Sequence, residues 1–339
     1  MSDRTSPSPQ VTALLDRAGL GPFVPDGLAR LPGRNENWLG TTVSGTTVFA
    51  KRLIGPPGEA ATRMRREVAY HRNAGSGPRC LAWDEESRAL VLTAVPRAKT
   101  GLKLAEDGEF DRTLAYEVGT ALRSLHGSTG WPAGLEDIPP VLPSVELLRG
   151  LPRAVFDECC AAELEAWRLL QRDDALIAAV GGLLERERHV VRVPSHGDLR
   201  LDQILVGASG VYLTDWEEFR YADPARDVGR FAGEWLWQAV SGLPAAAAPT
   251  TEAVVEHGAA RIERTRPIVA AFWWGYQDTG SDEALAVRAT AFAGWHLVER
   301  MIAGAAGATR LSAVAKAAAG IGRSLLCAPE TFVTAVGLG

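Results

Sequence analysis

The sequence predicts an α+β protein in two parts, a small antiparallel sheet with one helix and a larger, mainly helical region. Two observations carry this prediction. Short β-type runs separated by turn residues lie between positions 31 and 95. Apolar residues then recur at helical spacing beyond that point, as over 114–125. We place the boundary near Val95, with an N-terminal lobe over residues 1–95 and a C-terminal lobe over 96–339.

The N-terminal lobe begins with a short helix, Val11 to Ala18, and continues as strands, turns and one basic helix. Its further predicted elements are the strands Trp38–Val43 and Thr46–Leu53 around a Ser44-Gly45 turn, a break at Pro56-Pro57-Gly58, a helix over about Ala60–Asn73, and the strands Cys80–Trp83 and Ala89–Val95. Pro96 ends the last strand and begins a linker through Gly101.

The C-terminal lobe is predicted to be helical apart from one hairpin. Helical patterns recur near 157–171, 174–188, 252–278, 282–305 and 308–325. The hairpin pairs Ile204–Val206 with Val211–Leu213 across a Gly/Ser turn. Ser281, followed by Asp282, is a typical start for the helix over 282–305.

Composition excludes several classes of protein. The net charge of −5 disfavours nonspecific binding to nucleic acid. No apolar stretch approaches 18 residues and the N-terminus lacks a hydrophobic signal core, so we expect a cytoplasmic protein without a membrane segment. The four cysteines and six histidines lack the spacing of a zinc site.

The most informative stretch is SHGDLRLDQILVGASGVYLTDWEEFRYADPARD, residues 195–227. Asp198 lies two residues after a histidine, Gln203 follows five residues later, and Asp215 ends the second strand of the hairpin. This layout is typical of a phosphoryl-transfer site. One carboxylate orients the attacking hydroxyl, while an amide oxygen and a second carboxylate hold Mg²⁺ against ATP.

We therefore assign Asp198 as the general base, or more cautiously as the group that orients the acceptor hydroxyl. Arg200 is a candidate to neutralise charge on the transferring phosphoryl group. Asp215 and Gln203 are the candidate metal ligands. The structural alternatives are a turn cap for Asp198 and a loop-bracing role for His196. Asp227 is expected to hydrogen-bond back onto the catalytic loop.

Lys51 stands in an apolar strand, Val48 to Leu53, where it loses hydration unless an anion compensates its charge. ATP phosphates would do so, with Glu67, the only acid between Arg63 and Arg72, as the partner that holds the ammonium. The alternative is an edge-strand lysine in water. The loop from Pro32 to Asn37 lies where a phosphate-covering loop would sit, and would act through backbone amides and Asn side chains.

The residues quoted above, with Leu92 to Pro96 and Ala121 to His126, resemble the aminoglycoside phosphotransferase and choline kinase-like family. The resemblance covers roughly residues 25–235 and implies a protein-kinase-like fold. It also implies that the backbone of Thr93 and Val95 holds adenine. The family usually has Asn at the position of Gln203 and His at that of Arg200. Because Gln is longer than Asn, Asp202 is an alternative metal ligand.

A narrower resemblance concerns the strings GRNENW, HGDLRLDQ and TDWEEFRYADPARDVGRFAGEWL. They look like the kinase subunits of class V lanthipeptide and thioamitide biosynthesis. This likeness implies a precursor peptide whose Ser or Thr is phosphorylated, and a separate lyase subunit that then eliminates phosphate.

Three hypotheses about the acceptor stay open on the sequence alone. They are a peptide Ser/Thr kinase, a kinase of an aminoglycoside-like or amino-alcohol antibiotic, and a pseudokinase that binds a peptide without transfer. The presence of Lys51, Asp198 and Asp215 together weighs against the pseudokinase. The peptide hypothesis gives a role to the basic helix, where Arg65 and Arg72 share one face directed away from the nucleotide and could hold an acidic segment, unless they are merely solvated.

Overall fold

A computed structural model of the chain describes residues 6–73, 77–131, 145–242, 251–277 and 282–339. The helices are α1 (Pro9–Arg17), α2 (Pro57–Asn73), α3 (Gly101–Glu106), α4 (Arg112–His126), α5 (Val145–Arg149), α6 (Arg153–Glu158), α7 (Ala161–Gln171), α8 (Asp174–Glu187), α9 (Ala225–Ser241), α10 (Thr251–Tyr276), α11 (Glu283–Ala305), α12 (Ala313–Cys327) and α13 (Pro329–Val336). The strands are β1 (Ala29–Leu31), β2 (Glu36–Thr41), β3 (Thr47–Arg52), β4 (Cys80–Asp84), β5 (Ala89–Thr93), β6 (Lys99–Thr100), β7 (Val193–Ser195), β8 (Ile204–Gly207), β9 (Gly210–Leu213) and β10 (Arg220–Ala222).

The described residues group into two compact units. The first consists of the described residues within 1–100, 129–136 and 203–220, and the second of those within 101–128, 137–202 and 221–339. The hairpin of β8 and β9 thus belongs to the first unit, together with β6, which pairs with β8. The predicted lobe boundary near Val95 stays a prediction.

The first unit is built on an antiparallel sheet with the strand order β1-β2-β3-β5-β4. β2 and β3 form the predicted hairpin, in a register that places Asn37 opposite Lys51. On its other side β3 pairs with β5, which places Leu90 opposite Lys51. Lys51 therefore lies in the central strand of the sheet and not at an edge.

Alternation along the strands directs side chains to two helices. Val48 and Ala50 belong to the apolar cluster that also contains residues of α1. Leu53 and Leu90 belong to the cluster on the opposite face, with Met64 of α2. Since successive side chains of a strand point to opposite faces, Lys51 shares the face of Leu53 and is directed at α2.

Two local predictions for the first unit need correction. Pro57 and Gly58, predicted to break the chain, are the first residues of α2, because the first turn of a helix needs no N–H donor from its proline. The predicted linker after Pro96 contains β6, whose backbone groups are paired by β8.

The second unit is helical, with glycines where helices cross closely. A Cβ on Gly119 of α4 would lie 2.1 Å from the carbonyl oxygen of Phe272 of α10. Between α11 and α12, a Cβ on Gly294 would lie 2.5 Å from the carbonyl oxygen of Gly322. The backbones approach this closely because the glycine at each crossing carries no side chain.

The predicted α+β fold class, a small antiparallel sheet and a larger helical part, is confirmed. The helical patterns correspond to α7, α8, α10, α11 and α12 within a few residues. Asp282 caps α11 by accepting the N–H of Leu285, whereas Ser281 lies outside the described residues. In the part of the chain that the structure describes, no helix is both long and apolar enough to cross a membrane.

Candidate active site

The first unit brings Lys51 and Glu67 together as predicted. The Lys51 ammonium lies 3.2 Å from Oε2 of Glu67, and their side chains are only 4% and 1% exposed. Although burial opposes the charged form, the carboxylates around it raise the pKa of Lys51. Lys51 is therefore a fixed positive charge inside this unit, while its role in binding phosphate stays a prediction.

Asp215 joins the same cluster from the end of the β8–β9 hairpin. Its backbone adopts the left-handed conformation, with φ of +69°, which Asp tolerates better than most residues. One carboxylate oxygen contacts the Lys51 ammonium, and the other accepts a hydrogen bond from the Gln203 amide at 3.1 Å. Gln203 and Asp215, predicted as a pair on the spacing of the hairpin, do lie side by side.

Glu217 is the site residue that the sequence interpretation missed. Its Oε1 lies 2.8 Å from the Lys51 ammonium, and its Oε2 lies 2.8 Å from NH1 of Arg63. Burial alone would raise its pKa, but these two cations lower the pKa of Glu217 to about 2. The only sequence signal for Glu217 is an acid two residues after Asp215, which does not show whether that carboxylate is buried or solvated.

The three carboxylates suit a divalent cation. Glu67, Asp215 and Glu217 each offer an oxygen within 4.8 Å of the other two, and hard cations such as Mg²⁺ prefer oxygen ligands. Burial, together with the charges of Glu67 and Glu217, raises the pKa of Asp215 to about 6 against the opposing effect of Lys51. Asp215 is also the exposed member, at 38%, so it is the carboxylate that an entering ion would meet.

Two residues of the loop after β1, Arg34 and Asn35, contact Glu217, while the role of Asn37 toward the nucleotide stays a prediction. Asn37, the predicted nucleotide contact, lies within β2, and its amide nitrogen is 3.5 Å from the carbonyl oxygen of Pro32. The loop therefore ends at Asn35, which is buried and donates to Glu217. Arg34 is mostly exposed and donates to Glu217 at 2.9 Å.

The inner face of α2 holds the segment that follows Asp215. Arg63 is 2% exposed and bonds Glu217, and Arg66 lies 3.2 Å from Glu218. Tyr70 stacks on Trp216 with ring centroids 3.4 Å apart. Half of the arginines in the predicted basic helix thus serve internal contacts, which helical spacing alone did not reveal.

Thr93 and Val95, predicted to hold adenine through their backbones, lie at the end of β5 and just beyond it. The N–H of Thr93 donates to the carbonyl of Arg79 at 2.9 Å. The carbonyl of Val95 accepts from Ala98 at 3.4 Å. Their role toward adenine stays a prediction.

In the second unit, a buried aspartate holds the loop that carries Asp198. Asp227 accepts the N–H of His196 at 2.7 Å and that of Gly197 at 2.8 Å, as expected from the sequence. Gly197 has φ of +82°, a conformation that favours glycine. Burial favours protonation of Asp227, but the hydrogen bond and charge of His126 lower its pKa. The N–H of Asp198 also lies 3.3 Å from Nδ1 of His196, the bracing role predicted for that histidine.

Two guanidinium groups contact the Asp198 carboxylate itself. Arg200 lies 3.1 Å from Oδ2, and Arg230 lies 3.1 Å from Oδ1. Arg200 also makes two hydrogen bonds of 3.0 Å to Asp202. Asp202, the alternative metal ligand, is therefore engaged by Arg200 in this structure. Arg230 was not singled out in the sequence, since nothing in its spacing connects it to Asp198.

A family model, the phosphotransferase enzyme family (APH), matches residues 28–262. The chain belongs to this family. Membership confirms the predicted enzyme class, an ATP-dependent phosphotransferase that acts on an alcohol group. A search of curated proteins found no match.

Solved structures of three kinases share the fold. A choline/ethanolamine kinase family protein from Mesorhizobium loti is 18% identical with a TM-score of 0.59, covering 97% of each chain. Amicoumacin kinase hAmiN, in complex with AMP-PNP, Ca²⁺ and its ligand Ami, is 14% identical with a TM-score of 0.56, covering 93% of this chain and 92% of that one. Choline kinase LicA from Streptococcus pneumoniae is 16% identical with a TM-score of 0.54, covering 89% and 93%.

Proposed function

We propose that this protein is an ATP- and Mg²⁺-dependent kinase that phosphorylates Ser or Thr hydroxyls of a ribosomal precursor peptide. A separate lyase subunit would then eliminate the phosphate. The observation that carries the kinase assignment is the Lys51–Glu67 ion pair beside Asp215, in a member of the phosphotransferase family. The peptide acceptor and the lyase partner rest on the resemblance of the sequence strings around Asp198 and Asp215.

The first unit would bind the nucleotide. Lys51 meets the phosphates, and Glu67 keeps its ammonium directed toward them. Asp215 and Gln203 would hold Mg²⁺, which when bound neutralises phosphate charge. Asn37 and the backbone groups of Thr93 and Val95 are assigned to the nucleotide on the family resemblance. That the hAmiN structure contains AMP-PNP and Ca²⁺ supports a nucleotide and a divalent cation here.

The second unit would bind the acceptor. Asp198 accepts a hydrogen bond from the acceptor hydroxyl, whose oxygen attacks the γ-phosphorus as the bond to the ADP oxygen breaks. The proton of the hydroxyl passes to Asp198. Arg200 stabilises the charge on the transferring phosphoryl group.

The charges next to Asp198 do not repel a cationic acceptor. Both oxygens of Asp198 are contacted by guanidinium groups, from Arg200 and Arg230. Arg200 also pairs with Asp202, and Arg230 also pairs with Glu299, so three carboxylates face two guanidiniums. These charges therefore admit either class of acceptor, and the peptide rests on the sequence resemblance.

A small-molecule kinase is the second candidate, because structures of choline and amicoumacin kinases match almost the whole chain. One assay distinguishes a peptide kinase from a small-molecule kinase. It supplies Mg-[γ-³²P]ATP with two panels of acceptors. One panel contains Ser/Thr-rich precursor peptides encoded beside this gene, and the other contains aminoglycosides, amicoumacin and choline. We expect label on peptide that treatment with a lyase removes. Label on an antibiotic or choline alone overturns the peptide assignment, and equal labelling by Asp198→Asn rules out catalysis by this site.

A further inference from the structure

Arg200 and Arg230 both contact Asp198, the predicted base, but they belong to different elements of the second unit. Arg200 lies two residues from Asp198 in the same loop, whereas Arg230 extends from α9. Its NH1 lies 3.1 Å from Oδ1 of Asp198, and its side chain is 23% exposed. A helix is a firmer support for an interaction than a loop is.

Arg230 is itself held by residues of α11. Its NH2 donates to Oε2 of Glu299 at 3.0 Å, and its NH1 lies 3.3 Å from Nδ1 of His296. His296 Nε2 lies 2.8 Å from the buried Glu234 carboxylate. An imidazole that donates from Nε2 to Glu234 presents Nδ1 as an acceptor to Arg230. The guanidinium therefore has partners that set its orientation.

The close packing of α9 and α11 makes these contacts reachable. A Cβ on Gly229 would lie 2.4 Å from the carbonyl oxygen of Ala289, and one on Gly233 would lie 2.9 Å from Cβ of His296. The two glycines are four residues apart and share one face of α9. Without side chains there, α11 approaches closely enough for His296 to reach the neighbouring Arg230.

We propose that Arg230 is a positioning residue for phosphoryl transfer, which holds the Asp198 carboxylate in the orientation that receives the acceptor hydroxyl. This inference rests on the proposed function of Asp198. Arg200 fixes one carboxylate oxygen and Arg230 the other, so the plane of the carboxylate is defined from two sides. Loss of Arg230 leaves the Asp198 carboxylate in place but removes the contact to Oδ1 that helps to define its plane. Misplacement by about 1 Å costs on the order of 10²-fold in rate.

The test uses the full-length protein, with Mg-ATP and water as the acceptor, and compares Arg230→Met, Arg230→Lys and Asp198→Asn. We expect kcat to fall on the order of 10²-fold in Arg230→Met with unchanged ATP affinity. Arg230→Lys should retain part of the rate, because it keeps the charge and loses the planar fork. In the Asp198→Asn background, Arg230→Met should cause no further loss, since the residue acts only through Asp198.

Arg300→Met is the matched control. Arg300 lies 3.2 Å from Glu234 in the same network and does not contact Asp198. We expect Arg300→Met to lower the unfolding temperature by about as much as Arg230→Met does and to leave kcat unchanged. A kcat of Arg230→Met within about twofold of the wild type, or an equal loss in Arg300→Met, overturns the positioning role alone. Equal rates in wild type and Asp198→Asn would show that Asp198 takes no part in the turnover, which overturns its proposed role and the role of Arg230 with it.

Discussion

At the scale of single residues, Asp198 and Asp215, the two aspartates with proposed catalytic roles, have different neighbours. Asp198 is contacted by two guanidiniums, which suits a carboxylate that must stay oriented toward a hydroxyl. Asp215 is contacted by an ammonium and an amide beside two further carboxylates, which suits a group that exchanges its partners for a metal ion. The division into an acceptor-orienting acid and a metal-binding acid is thus reflected in their surroundings.

The first prediction concerns Asp198→Asn. The asparagine keeps the size of the side chain but neither accepts the hydroxyl proton nor carries the charge. We expect kcat to fall by about 10²–10⁴ with little change in nucleotide affinity, as measured by steady-state kinetics and calorimetric titration of ATP. Wild-type turnover would remove Asp198 from the mechanism.

The second prediction compares Asp215→Ala with Gln203→Ala. A carboxylate offers an ion its full charge, whereas an amide offers only a dipole, so Asp215→Ala should weaken Mg-ATP binding more. Titrating Mg²⁺ against each variant at fixed ATP measures the difference, with Asp202→Ala as the control for the alternative ligand. Equal losses in the first two variants would show that Asp215 is not the dominant ligand.

At the scale of elements, α2 has two basic faces with different uses. Its inner face holds the segment after Asp215 through Arg63 and Arg66. Its outer face leaves Arg65 and Arg72 exposed, and Arg72 stands 5.5 Å from the ring centroid of the exposed Trp83. Only the outer arginines are available to a peptide.

The third prediction is that Arg65→Glu with Arg72→Glu raises the KM for a precursor peptide with an acidic segment and leaves kcat nearly unchanged. The difference should shrink as salt rises from about 0.1 M to about 1 M, because the Debye length falls from roughly 10 Å to 3 Å. The control is Arg153→Glu with Arg188→Glu, the same charge change at two exposed positions on α6 and just after α8. Kinetics that match this control at all salt concentrations would leave α2 as a solvated face.

The fourth prediction concerns pH and the contact of α9 with α11. Burial and the charge of Arg230 lower the pKa of His296 below its ordinary value of 6.5, against the opposing charges of Glu234 and Glu299. The unfolded chain therefore binds a proton near pH 6.5 that the folded chain does not. The stabilisation is complete above that pH and is lost as the pH falls toward the lowered value.

Urea unfolding of the wild type and of His296→Gln tests this effect between about pH 7.5 and pH 5.5. The free energy of unfolding should fall more steeply in the wild type as the pH falls. Parallel curves would show that His296 titrates alike in both states.

At the scale of the whole molecule, the charge balance in the first unit indicates that folding does not require a metal ion. Glu67 and Glu217 are already compensated by Lys51 and Arg63. A buried carboxylate paired in this way does not carry the penalty of an isolated charge.

The fifth prediction follows. EDTA should leave the unfolding temperature unchanged, whereas Mg-ATP at about 100 times its Kd should add about 2.7 kcal/mol to the free energy of unfolding. Differential scanning fluorimetry with EDTA, ATP alone and Mg-ATP measures both effects. A lower unfolding temperature in EDTA would instead indicate a structural metal.

The sequence by itself determined the fold class and the order of most elements. Hairpin turns, helical periodicity and the spacing from His196 to Asp215 are local patterns. They can therefore be recognised in the sequence without knowledge of the fold. The same holds for Lys51, whose burial follows from its apolar strand neighbours. Glu67 was found because it is the only acid in its segment.

Only the tertiary structure decided which distant charges meet. Glu217 gained its importance from Arg63, 154 residues away in the chain, and Arg230 gained its importance from a helix packing that two glycines permit. Neither residue stands out in the sequence, because a charged residue looks the same there whether it faces water or a partner. Whether burial is compensated depends on groups brought together by packing, and packing is not a local property of the chain.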